Sequence, residues 1–152
     1  YLFHDILNQV TPLDVDFFSF SLDGPNSNVN DAIRGIGSYD TCIKGINAAR
    51  KKGFSVSLIY TVSSMNLHAL HQMPELIKTF DIQRFFIQVI GIRGNSAQES
   101  SNDLQINHDN WVKHVPSIAE KIALQGIPVT YPKVFLQKGE AFECAGRVSE
   151  HF

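Results

Sequence analysis

Apolar residues recur every second position in some segments of this chain and every third or fourth in others. Asp16 to Leu22 (DFFSFSL) has period two, with Phe18, Phe20 and Leu22 on one face and Phe17, Ser19 and Ser21 on the other. That alternation predicts a strand. The Asn-rich stretch Asp23 to Gly37, opening on Asp23-Gly24-Pro25, reads as turns. A helix follows, capped by Ser38 or Asp40, with Cys42, Ile43, Ile46 and Ala49 on its apolar stripe. Arg50-Lys51-Lys52-Gly53 ends it, because cations suit the carbonyl end and glycine suits the turn beyond it.

The unit then repeats. Phe54 to Val62 alternates again, with Ser55, Ser57, Ile59 and Thr61 on one face. A loop from Ser63 to Asn66 leads to a helix with Leu70, Met73, Leu76, Ile77 and Phe80 on its buried side. Phe85 to Ile92 is a third strand, on which Gln88 and Ile90 share a face. After a polar loop from Gly94 to Asn107, a helix from Asp109 to Leu124 carries Trp111, Val115, Ile118 and Ile122. Ile127 to Phe135 is a fourth strand, weakened by Pro128 and Pro132. Residues 1 to 10 read as the tail of an earlier helix.

Strands separated by single helices imply parallel pairing through right-handed crossovers, in a doubly wound sheet or a (β/α) barrel. The mixed strand faces favour the barrel. A strand covered by apolar helices on both sides would be a continuous apolar run, whereas Ser19, Ser21, Ser57, Thr61 and Gln88 leave one side polar. The expected fold is therefore α/β, a truncated TIM-type barrel with a mostly parallel sheet. Four strands cannot close a barrel, and the chain starts Tyr1-Leu2-Phe3 without Met or signal peptide, so it reads as a piece of a longer protein.

At 152 residues the chain suits one domain with a sizeable core. A hydrophobic share of 43% against 18% charged residues excludes long disorder. The net charge of -2 gives no pull towards nucleic acid or anionic lipid, so neither nucleic acid nor membrane is expected as a partner. Two cysteines, Cys42 and Cys144, do not make a disulfide scaffold, and a reducing cytoplasm is the expected location.

Candidate chemistry concentrates in Ser19 to Ser38. Ser21 and Asp23 share strand parity where parallel strands end, the edge at which barrel active sites are built. Arg34, flanked by Gly35 and Gly37, offers a guanidinium suited to a bidentate grip on carboxylate or phosphate. The plain alternative is a turn at Asp23-Gly24-Pro25 and a surface cation at Arg34. Cys42 lies on an apolar helix face and reads as core. His68 and His71 are three apart on a helix, a spacing that suits one metal-binding face, but without a third ligand they read as a solvated face. His108 and His114 have no partner at ligand spacing, and Trp111 reads as packing. Gly91-Ile92-Arg93-Gly94 is too short for a dinucleotide fingerprint.

SLDGP, then IRGIGSYDTCIKGI, then GFSVSLIYTVSSMN, then FFIQVIGIRGN resemble the later strands of a radical S-adenosylmethionine (radical SAM) barrel, from about Asp16 to the end. More narrowly, they resemble the branch with a C-terminal SPASM or twitch extension, which includes anaerobic sulfatase-maturating enzymes and peptide maturases. AFECAGRVSEHF resembles the entrance to that extension, which implies residues 1–138 as barrel and 139–152 as the start of the extension. The resemblance implies cleavage of S-adenosylmethionine by a reduced [4Fe–4S] cluster and hydrogen abstraction by a 5′-deoxyadenosyl radical. The substrate would be a protein, a peptide or a small molecule, and the electron donor a flavodoxin or ferredoxin.

Carried over by position, Ser21 resembles the polar contact to the cofactor's ribose or carboxylate, and Arg34 its carboxylate clamp. Thr61, Val62 and Asn66 fall on the adenosyl and substrate side, and Ile90 and Gly91 on the strand along the adenine. Asp23 either contacts the ligand or orders the Gly24 turn. Cys144 resembles a ligand of an auxiliary iron–sulfur cluster.

The family's C-x3-C-x2-C loop and Gly-Gly-Glu segment are not in this sequence. A [4Fe–4S] cluster with an open iron needs three thiolates, so its ligands are expected in missing N-terminal sequence and the chain alone is expected to be inactive. The competing readings are a piece of a lyase or aldolase barrel and a non-enzymatic α/β binding domain. The first is disfavoured by the lack of Lys in the first three strands. A truncated barrel would also self-associate through its first strand, around Phe18 and Phe20.

Overall fold

In a computed structural model the described residues are 3–90 and 104–132. They form five α-helices, one 3₁₀ helix and four strands. In chain order these are α1 (Phe3–Gln9), β1 (Phe18–Ser21), α2 (Ser27–Arg34), α3 (Ser38–Lys51), β2 (Val56–Val62), the 3₁₀ helix Leu67–Gln72, α4 (Met73–Thr79), β3 (Arg84–Val89), α5 (His108–Ala123) and β4 (Val129–Thr130).

All strand pairs are parallel, and the order across the sheet is β1-β2-β3-β4. Spatial order equal to chain order, with right-handed crossovers, keeps every connecting helix on one side of the sheet. That is the wall of a (β/α) barrel; a doubly wound sheet would reverse direction at a switch point.

Pairing puts Ser19 beside Ser57 and Arg84, Ser21 beside Ile59 and Phe86, and Thr61 beside Gln88. These residues form the face away from the helices, where Ser19, Ser21, Arg84 and Gln88 are exposed. Ser57 is buried on that face, and its hydroxyl is hydrogen-bonded to that of Ser19 at 2.6 Å. The opposite face carries Leu22, Val56, Leu58, Tyr60, Val62, Phe85 and Ile87, all buried. They pack with Ile46 and Ala49 of α3, Met73 and Ile77 of α4, and Trp111, Val115 and Ile122 of α5 in one core. Burial of this order, at about 25 cal/mol per Å² of apolar surface, drives the fold.

Three boundaries differ from the sequence expectation for physical reasons. The stretch Asp23 to Gly37 is not all turn: Asn26 accepts a hydrogen bond from Val29 N at 3.1 Å and starts α2. The expected helix after β2 is split, because Pro74 has no N–H to continue the ladder; a 3₁₀ helix ends at Gln72 and α4 begins around the proline. The cap of α3 is neither Ser38 nor Asp40 but Gly37, which has no side chain to bond. The stop after Lys51 is as expected, with Gly53 at φ 84°.

Phe18 and Phe20 are half-buried in edge-to-face contact with Phe3, and Phe18 also meets Phe54. The apolar patch expected at the first strand is thus partly covered by α1. The fourth strand, expected over Ile127 to Phe135, is confined among the described residues to Val129–Thr130, since Pro128 and Pro132 on either side have no N–H for the ladder. Gly91, Cys144, residues 94–103 of the loop, residues 133–135 and the boundary at residue 138 lie outside the described residues.

Candidate functional site

The C-terminal ends of β1 and β2 are joined by a buried polar network centred on Asp23. This residue is 5% exposed, and each of its polar atoms has a protein partner. Its N–H donates to Oδ1 of Asn30 at 2.9 Å, and its C=O accepts from Nδ2 of Asn66 at 3.0 Å. Of the two carboxylate oxygens, Oδ1 accepts from Thr61 N at 2.9 Å and Oδ2 from Nε of Arg34 at 2.7 Å.

Local sequence explains the arrangement. Gly24 lets the chain turn hard against α2, since a Cβ there would sit 2.5 Å from Asn30 N and 2.7 Å from Val29 Cβ. One helical turn separates Asn30 from Arg34, so both reach back to Asp23 from the same side of α2. Fully buried Asn30 also donates to Asp31 and Ser38. The Asp31 carboxylate in turn accepts from Gly37 N at 2.7 Å, Ser38 Oγ at 3.0 Å and Tyr39 N at 2.8 Å. It therefore supplies the N-terminal cap that Gly37 lacks. The Tyr39 N–H bond, joined by those from Gly37, Asn30 and Ser38, holds the Asp31 carboxyl below the usual carboxylate range against a partial opposing effect of burial.

Asn66 is fully buried. Its amide donates to Asp23 O and Thr61 O and accepts from Ser63 N at 2.8 Å, and its own carbonyl accepts from the Tyr60 hydroxyl at 2.9 Å. Neither Asn30 nor Tyr60 was singled out from the sequence, because their partners lie on other elements.

Ser21 is exposed at the end of β1, and Thr61 is half-buried at the end of β2. No hydroxyl partner is found for either among the described residues. The Arg34 side chain is 34% exposed, and its two terminal nitrogens have no partner among the described residues. Ile90 follows β3, half-buried, with its N–H on Val62 O at 3.3 Å. The structure thus joins Asp23, Arg34, Thr61 and Asn66 in one network, with Ser21 two residues away. The edge so formed presents two hydroxyls and a guanidinium with one edge to spare, a set able to bind a carboxylate and a sugar hydroxyl.

Cys42 sits behind this edge, with Sγ donating to Ser21 O at 3.6 Å. Burial pushes its thiol up to about 11; Arg34 pulls the other way and Asp23 adds to the rise. A thiol held protonated is a poor nucleophile at neutral pH, and Cys42 is the one free cysteine among the described residues. Among the described residues no group of three or more His, Cys, Asp or Glu is placed to hold a metal ion.

His68, His71 and His114 line a cleft of about 480 Å³ with Leu67, Leu70 and Ile118. His68 and His71 are exposed, and Nδ1 of His71 is spent on His68 O at 2.8 Å. A second concavity of about 500 Å³, lined by Asp81, Gln83 and Gly126, lies at the opposite end of the strands and includes no candidate residue. No helix among the described residues is long and apolar enough to cross a membrane.

No family model matches the chain. It is similar to pre-heme d1 synthase of Dinoroseobacter shibae, 28% identical over 100 residues, covering 63% of this chain and 24% of that protein. It is also similar to AdoMet-dependent heme synthase of Methanosarcina barkeri, 30% identical over 107 residues, covering 64% of this chain and 29% of that protein. The chain therefore spans between 24% and 29% of the length of these curated relatives.

Among solved structures it resembles Streptococcus suis SuiB, with a TM-score of 0.59 and 10% identity over 82% of this chain and 31% of that one. It also resembles a radical SAM methyltransferase from Sphaerobacter thermophilus, with a TM-score of 0.51 and 13% identity over 76% of this chain and 33% of that one. At such identities the structural likeness establishes the partial barrel fold. The sequence relatives bear out the resemblance to radical SAM enzymes read from the motifs.

Proposed function

We propose that this chain is the later part of the barrel of a cytoplasmic radical SAM enzyme, an iron–sulfur oxidoreductase or maturase, and that its strand ends hold S-adenosylmethionine. The observation that carries the reading is the guanidinium of Arg34. Asp23 fixes its Nε, and its Nη pair has no partner among the described residues, beside the open end of β1. The two sequence relatives support the cofactor class, one being named AdoMet-dependent.

The residues present fit the nucleoside. Arg34 would pair with its carboxylate through two parallel N–H···O bonds. Ser21 and Thr61 would take ribose or carboxylate oxygens. Ile90 and Gly91 would lie along the adenine. The described residues do not fit the [4Fe–4S] cluster, for which they offer a single thiol, Cys42, where three are needed. Its three thiolates are assigned to sequence upstream of Tyr1, and Cys144 to an auxiliary cluster at the start of a SPASM-type extension over 139–152. When bound with a reduced cluster, the cofactor supplies a radical that takes hydrogen from substrate; this chain's own residues bind and orient it.

The electron donor would be a flavodoxin or ferredoxin. Of the substrate classes that the resemblance implies, the heme-synthase names of both relatives favour a small molecule over a protein or peptide. Free backbone at the edge of β1 would also let this chain self-associate.

The test has two parts. The coding sequence upstream should encode a C-x3-C-x2-C loop about 80–120 residues before Ser21, given the usual barrel size. The longer protein, reconstituted anaerobically, should release 5′-deoxyadenosine. Arg34→Ala should lower that release by about tenfold or more, the scale of a lost charge-assisted pair. An upstream sequence without the cysteine triplet would end the reading.

A further inference from the structure

We propose that Asp23 is a positioning residue: it aims Arg34 and locks the end of β1 to β2, and it does not itself touch a ligand. This rests on the reading of Arg34 as a carboxylate clamp and deepens it. Every polar atom of Asp23 is already bonded within the protein: to Asn30 of α2, to Arg34 at the end of α2, to Thr61 of β2 and to Asn66 beyond β2. Its side chain is 6% exposed, against 34% for Arg34, so a ligand arriving at the open edge meets the guanidinium before the carboxylate.

The geometry also decides which edge of Arg34 is offered. With Nε held by Asp23 Oδ2 at 2.7 Å, the remaining bidentate edge is the Nη1–Nη2 pair. A guanidinium fixed at one edge loses less freedom when its other edge binds, which is how such a partner raises affinity without contact. The other carboxylate oxygen, on Thr61 N, ties that aim to the register of β2. Asn66 completes the lock by bonding the carbonyls of both Asp23 and Thr61.

The first arm of the test needs no ligand. In ¹H–¹⁵N spectra of the wild-type protein, the Arg34 Nε–H should exchange with solvent about tenfold or more slowly than an unpaired arginine Nε–H, the scale of a charge-assisted bond. In Asp23→Asn, which leaves one neutral oxygen for the two donors Arg34 Nε and Thr61 N, that protection should fall. Rapid exchange in the wild type would overturn the lock, whatever the protein binds.

The second arm titrates S-adenosylhomocysteine, which carries the same carboxylate and ribose. Asp23→Asn should weaken binding about tenfold beside native Arg34, yet by no more than about twofold in an Arg34→Ala background, since a residue acting through another couples fully to it. Equal losses in both backgrounds would make Asp23 a direct contact and overturn the proposal. No binding by the wild type would instead sink the proposed cofactor site and leave the first arm to decide the lock. Should Asp23→Asn not fold, the wild type still decides: on titration the Arg34 Nη signals should shift and the Asp23 carboxyl carbon should not. The reverse pattern would overturn the proposal.

Discussion

Tyr60 and Cys42 both feel the Asp23 carboxylate, and both are driven towards their neutral forms, mainly by burial. Cys42 has its thiol pushed up to about 11, and the Tyr60 phenol lies well above the ordinary tyrosine range. Alkylation of Cys42 should therefore be slow at pH 8 and accelerate only as pH approaches 11, as a rate profile with iodoacetamide will show; a rate at pH 8 like that of a free thiol would contradict its burial. The sign for stability follows. The folded state holds these protons more tightly than the unfolded chain, so the contribution is complete below the unfolded values and is lost as pH rises through the folded ones. Tyr60→Phe should lower stability by about 0.5–1.5 kcal/mol, because the buried hydroxyl's bond to Asn66 O is lost while the Ala69 N–H still holds that carbonyl. Denaturant unfolding at neutral pH measures it. That Ser21, Asp23 and Arg34 come together at one strand end was legible because they sit in one short motif-bearing segment. That Asn66 is spent inside the protein was not, since its partner Asp23 is 43 positions away.

At the scale of elements, α2 was hidden by its own composition. Gly24, Pro25 and the Asn residues carry turn signals, and the helix has Val29 and Ile33 as its only large apolar positions, too few for a visible stripe. What forms it is contact: the Asn26 cap, the Gly24 approach and the buried Asn30 bonds. Gly24→Ala should thus destabilise by about 1–3 kcal/mol through overpacking, since backbone at 2.5 Å cannot give way. For a chain of this size that lowers Tm by about 2–4 °C per kcal/mol. The strands, α3 and α5 were legible because their periodicity coincides with burial, whereas the break at Gln72 needed the meaning of Pro74 as well as the stripe. The α3 cap gives an acid-side prediction. Asp31 is more acidic in the fold than when unfolded, so its stabilisation is present above the unfolded value and is lost as pH falls through the folded one. Asp31→Asn should lower Tm at pH 7 and flatten its decline below pH 4, because the amide cannot carry the charge that favours a helix N-terminus. An unchanged acid profile would remove Asp31 from that role.

For the whole molecule, the parallel arc sets what remains exposed. Phe18 N bonds Ser55 O and Leu22 N bonds Ile59 O, so by strand alternation the N–H groups of Ser19 and Ser21 point away from β2, to an edge with no strand beside it among the described residues. Phe18 and Phe20 are half-covered by Phe3, so free backbone, more than free apolar surface, is the reactive feature of that edge. Unpaired edges template pairing with another chain. The isolated chain should therefore show a concentration-dependent dimer by sedimentation or solution scattering. Ser19→Pro should suppress it, because proline removes one outward donor while the bonds from Phe18 and Leu22 to β2 remain. The substitution also removes the Ser19–Ser57 hydrogen bond, so Ser19→Ala is the control: it breaks that bond and keeps the N–H, and should still dimerise. A wild-type chain that stays monomeric at millimolar concentration would show that the β1 edge is protected in some other way. Dimers formed equally by Ser19→Pro would move the contact to the polar sheet face of Ser21, Arg84 and Gln88.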